Sequence, residues 1–128
     1  MAFEVWFSKA ERFREYARED LVNNRFDSAS FFAQQAIEML FKGLLIKLTG
    51  TRPITNFTAE LLQYLAKTLN VQPPNDVMRC AEALEMHYIQ ARYPDARIND
   101  YRRWEAEEAI RCMEVVWSYV REVVGSVA

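Results

Sequence analysis

The stretch that most limits how this chain can fold is residues 32–48, where apolar side chains recur on nearly every meridian of a helical wheel. Phe32, Ala36, Ile37, Leu40, Phe41, Leu44, Leu45 and Leu48 leave no wide polar face. A helix of that kind is stable in water only when other elements cover it on most sides, so this segment is expected to be the central helix of a bundle. Within it, Gln35, Glu38 and Lys42 fall within about 60° of one another, bracketed by Phe31 and Ile46. Two readings of that stripe are open. Glu38 and Lys42, an i,i+4 pair in the favourable orientation, neutralise each other at the edge of the core. Alternatively, the stripe lines a cleft or subunit interface, where partly buried polar groups take partners from a neighbouring helix or chain.

With three glycines and four prolines the chain carries few stop signals, and they fall where helical periodicity fades. A first helix is predicted over residues 3–22, with Trp6, Ala10, Phe13, Ala17 and Leu21 on its core face and Glu11/Arg14 and Glu15/Arg18 as i,i+3 pairs outside. Asp27 is the expected N-cap of the second helix, and Gly50 its C′ residue. A third helix over residues 57–69 is expected to be capped by Asn56. A fourth starts at Asn75 or Asp76, carries Val77, Ala81, Leu84 and Tyr88, and ends before Pro94. Asn99 or Asp100 is the expected cap of the fifth, whose stripe is Ala106, Ile110, Met113, Trp117, Val120 and Val124. No stretch alternates with period two, so the expected fold is all-α: an antiparallel up-and-down bundle of four to five helices forming a single domain over residues 1–128.

Composition removes several function classes. The formal charge of −2, from 16 basic and 18 acidic side chains, gives no whole-molecule attraction to nucleic acid or anionic lipid, so any anion-binding surface must be local. Cys80 and Cys112 stand alone, which fits neither a disulfide framework nor a zinc site; both are read as reduced core thiols. The N-terminal residues lack a signal-peptide pattern and no apolar run is long enough to span a bilayer, so the expectation is a cytoplasmic protein. His87 is the sole histidine and lies three residues after Leu84, which excludes a paired Glu-x-x-His di-metal centre. No Gly-x-Ser-x-Gly elbow and no phosphate-cradling glycine loop can be drawn. No metal or cofactor is expected.

The densest polar cluster spans residues 92–104. Arg92, Arg97, Arg102 and Arg103 outnumber Asp95 and Asp100, and Tyr93, Tyr101 and Trp104 interleave with them. Guanidinium groups suit phosphate and aromatic faces suit bases, while a helix N-terminus adds N–H donors. The alternative is structural: Arg92 satisfies the last carbonyls of the fourth helix, Asp100 caps the fifth, and Pro94 sets the turn.

Two stretches carry a family resemblance. Arg25-Phe26-Asp27-Ser28-Ala29, followed by Phe32-Ala33-Gln34-Gln35-Ala36-Ile37-Glu38-Met39-Leu40-Phe41-Lys42-Gly43-Leu44-Leu45, resembles the second helix of HEPN domains (higher eukaryotes and prokaryotes nucleotide-binding). Tyr88-Ile89-Gln90-Ala91-Arg92-Tyr93-Pro94-Asp95 is similar to the same family's Arg-Tyr-Pro-Asp turn. The resemblance extends over about residues 6–123 and implies a helical bundle that often pairs as a homodimer. It also implies a nucleotide ligand or a minimal nucleotidyltransferase partner, some such pairs acting as toxin and antitoxin. Active members cut RNA with an Arg-x4–6-His motif, its arginine at the end of the penultimate core helix, donated by both subunits across a shared cleft. By that resemblance Arg92 matches the arginine, while Arg97, Ile98 and Asn99 stand where the histidine would fall and His87 precedes Arg92. Asn56 stands about where many relatives carry a histidine opening the third helix.

The expectation is therefore a homodimeric, non-catalytic module that binds a nucleotide, RNA or a nucleotidyltransferase. In it Arg92, Arg97 and Arg102 hold phosphate, Tyr93 or Tyr101 stacks on a base, Asp95 orients Arg92, and Gln35, Glu38 and Lys42 line the adjacent cleft. The rivals are a metal-independent ribonuclease using Arg92 with Asn99, Arg97 or His87, and an interaction scaffold. Dimerisation is expected because eight phenylalanines, six tyrosines and three tryptophans are more than a small bundle readily hides.

Overall fold

The computed structural model describes residues 2–125, and their order is α1 (Glu4–Val22), α2 (Phe26–Thr49), α3 (Thr58–Leu69), α4 (Asn75–Glu85), the single turn α5 (His87–Gln90) and α6 (Arg103–Val124). The apolar stretch is one uninterrupted helix that packs against every other helix, as a segment without a polar face must. Ala33, Ala36, Ile37, Leu40 and Phe41 are wholly shielded from solvent. Gly50 ends α2 in the left-handed region at φ 77°, its N–H bonded to the Ile46 carbonyl at 2.8 Å. The remaining core comes from single faces: Phe7, Ala10 and Ala17 of α1, Leu61, Leu62 and Leu65 of α3, Val77, Ala81 and Leu84 of α4, and Met113, Val116, Trp117 and Val120 of α6. Among the described residues there is no strand, and no helix is long and apolar enough to cross a membrane. The all-helical bundle is as expected.

The helix starts are not. Asp27, Asn56 and Asn99 or Asp100 have capping chemistry, yet none is a cap: α2 begins after Arg25, α3 after Phe57 and α6 after Arg102. At α3 a tertiary partner supplies what a local cap would have, and at α6 a glutamate inside the helix does. The first turn of α3 is satisfied by Glu85 of α4, whose carboxylate accepts the Ala59 N–H at 2.8 Å, while the Thr58 hydroxyl donates to the Ala81 carbonyl at 2.6 Å. At α6 the Glu105 carboxylate accepts the Arg102 N–H at 2.9 Å, half of a capping box. The fourth helix also stops early, at Glu85, and Tyr88 belongs to the separate turn α5.

Two further expectations need correction. Arg14 and Arg18 do not pair with the glutamates of their own helix; both converge on Glu114 of α6, the Arg18 guanidinium at 2.8 Å, and Arg14 stacks on Trp117 with 4.5 Å to the ring centroid. Cys80 and Cys112 are buried, as expected, but they are not separate thiols. They form a disulfide across the α4–α6 contact, with Cα atoms 4.7 Å apart. A sequence separation of 32 conceals the pairing, because only the antiparallel packing of α4 on α6 brings the two positions together.

The close approach of α1 to α2 depends on Gly43. A Cβ at this position would stand 2.8 Å from two ring atoms of Phe7 and 3.0 Å from the Cβ of Trp6. Alanine normally stabilises a helix interior by about 1 kcal/mol relative to glycine. Here overpacking wins: Gly43→Ala is expected to destabilise by roughly 1–3 kcal/mol in urea denaturation, and a stabilised variant would contradict this contact.

Candidate functional site

Pro94 cannot continue a helix, so after α5 the chain turns through residues 91–102, with the Arg92 and Tyr93 amides both bonded to the Ile89 carbonyl at 3.2 Å. That loop and the α1–α2 turn enclose a cavity of about 500 Å³. Asn24, Phe26 and Asp27 form one wall; Gln90, Arg92, Tyr93, Arg97, Asn99, Asp100 and Tyr101 contribute to the other. Most of the residues singled out from the sequence meet here, though in two different roles.

Arg92 is exposed, and its guanidinium lies among three aromatic rings: Tyr88 at 4.9 Å, Phe31 at 5.6 Å and Tyr93 at 5.7 Å to the centroids. Among the described residues it has no carboxylate partner within ion-pair distance. Asp95 is exposed, does not line the cavity and does not reach Arg92, so the expected orienting pair is not formed. Arg102 is exposed too, and its side chain makes no ion pair among the described residues.

Arg97 is engaged. It donates through one nitrogen, Nη2, to both Glu105 oxygens at 2.9 and 2.7 Å and through Nε to the Asn99 carbonyl at 2.7 Å, and it stacks on Tyr101 with 3.9 Å to the centroid. Tyr101 is buried and its hydroxyl meets Nδ1 of His87 at 2.6 Å. Burial pushes the His87 imidazole down to about 4, the Glu105 charge opposing and the Arg97 charge reinforcing that shift. Burial also raises the Tyr101 hydroxyl against the pull of Arg97. Burial alone would raise Glu105, but the Arg102 amide and the Arg97 guanidinium outweigh it and hold the carboxyl below its ordinary value. This cluster braces the loop against α6. His87 does not line the cavity, and Asn99, which does, has no titrating group.

Gln35, Glu38 and Lys42 are not cavity walls either. Glu38 and Lys42 are almost fully buried, at 3% and 5% exposure, and joined at 2.9 Å. Glu38 accepts from Gln34 at 3.1 Å and Gln35 at 2.9 Å through its other oxygen. Lys42 also donates to the Asn56 side chain at 2.9 Å, and Asn56 donates to the Tyr88 hydroxyl at 2.9 Å. Both sequence readings are incomplete: the pair is internal rather than at the core edge, and its extra partners are Gln34 and Gln35 of α2 itself and Asn56 of the α2–α3 loop. Gln34, Asn56 and Tyr88 join the network without a sequence signal for that role: Asn56 is expected as a helix cap and Tyr88 as part of an apolar stripe, although Gln34 precedes Glu38 by one helical turn on a helix otherwise apolar all round. No group of acidic, cysteine or histidine side chains suited to a metal occurs among the described residues.

The family model described as HEPN domain matches residues 3–123. This chain belongs to the HEPN domain family. Its fold superposes on the crystal structure of TT1696 from Thermus thermophilus with a TM-score of 0.84 at 31% identity, covering 96% of this chain and 99% of that one. An archaeal HEPN homologue, ST0689, gives a TM-score of 0.74 at 29% identity, covering 95% of this HEPN chain and 97% of its own. No curated protein matches.

The buried imidazole makes a prediction about acid stability. His87 takes up a proton near pH 6.5 when unfolded but only near pH 4 when folded, so its contribution is complete above pH 6.5 and lost as pH falls through that window. The expected loss is about 3 kcal/mol at most. Denaturation midpoints of wild type and His87→Gln from pH 7 to pH 4 should show this slope in wild type only. Equal slopes would contradict the assigned burial of His87.

Proposed function

We propose that this HEPN chain is a non-catalytic homodimeric module that binds the phosphate of a nucleotide or RNA, or docks a nucleotidyltransferase in a toxin–antitoxin-like pair, through Arg92. One observation carries the reading: Arg92 is the arginine of the loop that is exposed, held among aromatic faces and left without a carboxylate among the described residues, at the wall of a cavity large enough for a nucleotide. An arginine in that state keeps both its charge and its fork of donors for a ligand. Tyr93, half-exposed beside it, offers a stacking face. Arg97 serves differently from the sequence expectation, bracing the loop through Glu105 rather than meeting phosphate.

The ribonuclease rival is weakened by the same geometry. RNA cleavage by acid–base chemistry needs an imidazole titrating near neutrality within reach of the substrate, and His87 is buried, neutral at pH 7 and bonded to Tyr101. The dimer is supported by exposed apolar groups around the Arg92 loop, with Ile98 fully exposed, Trp104 at 65% and Met86 at 54%. Such a cluster also suits a protein partner, and this is the observation favouring the scaffold as a second reading.

Three outcomes are expected. Purified protein should sediment as a dimer at micromolar concentration; a monomer would contradict the shared-interface reading. Arg92→Ala should lose affinity for AMP or single-stranded RNA with its fold intact, and flatten the salt dependence of RNA binding by about one unit of slope. Arg97→Ala should instead destabilise the fold by about 1–2 kcal/mol, since it leaves Glu105 without its guanidinium. If Arg97→Ala abolished binding with unchanged stability while Arg92→Ala did nothing, the assignment of the two arginines would be reversed.

A further inference from the structure

The polarity of the buried chain from α2 to α5 can be read from one fixed point. An ammonium donates and never accepts, so the Asn56 atom 2.9 Å from Lys42 Nζ must be the carbonyl oxygen, and the amide nitrogen must face Tyr88. The ammonium is itself held, by the Glu38 carboxylate at 2.9 Å, whose second oxygen is occupied by Gln34 and Gln35. Asn56 therefore donates into the Tyr88 hydroxyl oxygen, and the hydroxyl hydrogen must point away from Asn56. No protein acceptor for that hydrogen is present among the described residues, and Tyr88 is half-buried, just outside the lining of the cavity that Arg92 walls. The guanidinium of Arg92 lies over the same ring, 4.9 Å from its centroid.

We propose that Tyr88 is a ligand-binding residue beside Arg92: a phosphate oxygen drawn to the guanidinium accepts the Tyr88 hydroxyl hydrogen, and Asn56, fixed by Lys42, is the positioning residue that keeps this hydroxyl a donor towards the ligand. The proposal rests on the reading of Arg92 as the phosphate-binding group. It assigns the buried stripe of α2 a role at a distance: Glu38 and Lys42 touch no ligand, yet they set the direction of the hydrogen bond that does.

The test uses the full chain and anisotropy of a short fluorescein-labelled single-stranded RNA, with AMP as competitor to separate a phosphodiester site from one that takes free nucleotide. Tyr88→Phe keeps the ring under Arg92 and removes the hydroxyl; affinity should fall about tenfold, as for one hydrogen bond to a charged oxygen. Asn56→Asp offers a carboxylate that accepts from both Lys42 and Tyr88, turning the hydroxyl hydrogen inward, and should also weaken binding. The two changes should be non-additive, with Asn56→Asp costing less when Tyr88 is already Phe. A purely structural Asn56 would give additive losses. If Arg92→Ala abolishes binding but Tyr88→Phe and Asn56→Asp leave it unchanged, the proposal is overturned and the Arg92 reading stands. If wild type binds neither probe, both fall. Should Tyr88→Phe lose its helical circular dichroism, Asn56→Asp alone reads the same hydrogen, and undiminished affinity there overturns the proposal.

Discussion

The interaction on which the rest depends is the Glu38–Lys42 ion pair inside α2. Two charges withdrawn from water along a helix that is otherwise apolar all round are costly unless every remaining donor and acceptor finds a partner. The carboxylate meets that condition within α2, through Gln34 and Gln35, but the ammonium cannot, and its second partner is Asn56 from the following loop. The need to satisfy a buried lysine thus pulls the α2–α3 connection onto the central helix. It also explains why Asn56 is absent from the start of α3, where Glu85 of α4 supplies the missing acceptor.

From Asn56 the chain of polar contacts passes to Tyr88 and from its ring to Arg92. A second cluster, His87, Tyr101, Arg97 and Glu105, fixes the far side of the same loop to α6. The Cys80–Cys112 disulfide closes the segment that contains Tyr88, Arg92 and the second cluster. Arg92 is consequently exposed but not loose: its backbone is set by the Ile89 carbonyl, its side chain by aromatic rings, and the elements beneath by buried polar bonds. That combination suits a binding site, where a charge must be solvent-accessible yet held in one geometry.

The central position of α2 was legible in the sequence because a helix without a polar face admits no other place. The single-face helices were legible for the same reason of periodicity. Capping was not: Asp27, Asn56 and Asn99 have the right chemistry, but a side chain from another helix, or a glutamate three residues inside as at Glu105, can take over that function. Arginine roles were likewise hidden. Arg92 and Arg97 look alike in a basic aromatic stretch, and only the folded position of Glu105 separates the one that braces the loop from the one left for a ligand. The cysteine pairing and the Lys42–Asn56–Tyr88 connection both depend on contacts between elements distant in sequence, to which local pattern is blind.

The most direct test of this dependence is the affinity of the double variant Glu38→Leu with Lys42→Met for single-stranded RNA. Removing either charge alone should destabilise the protein by about 3–5 kcal/mol through the uncompensated partner, whereas removing both should restore a folded bundle. Its core then holds neither charge; Gln34 and Gln35 have lost the Glu38 carboxylate, and Asn56 has lost the ammonium that fixes its amide. The folded double variant is predicted to bind RNA more weakly than wild type although neither altered residue touches the ligand. Wild-type affinity in the folded double variant would contradict a role for the buried pair in setting the site.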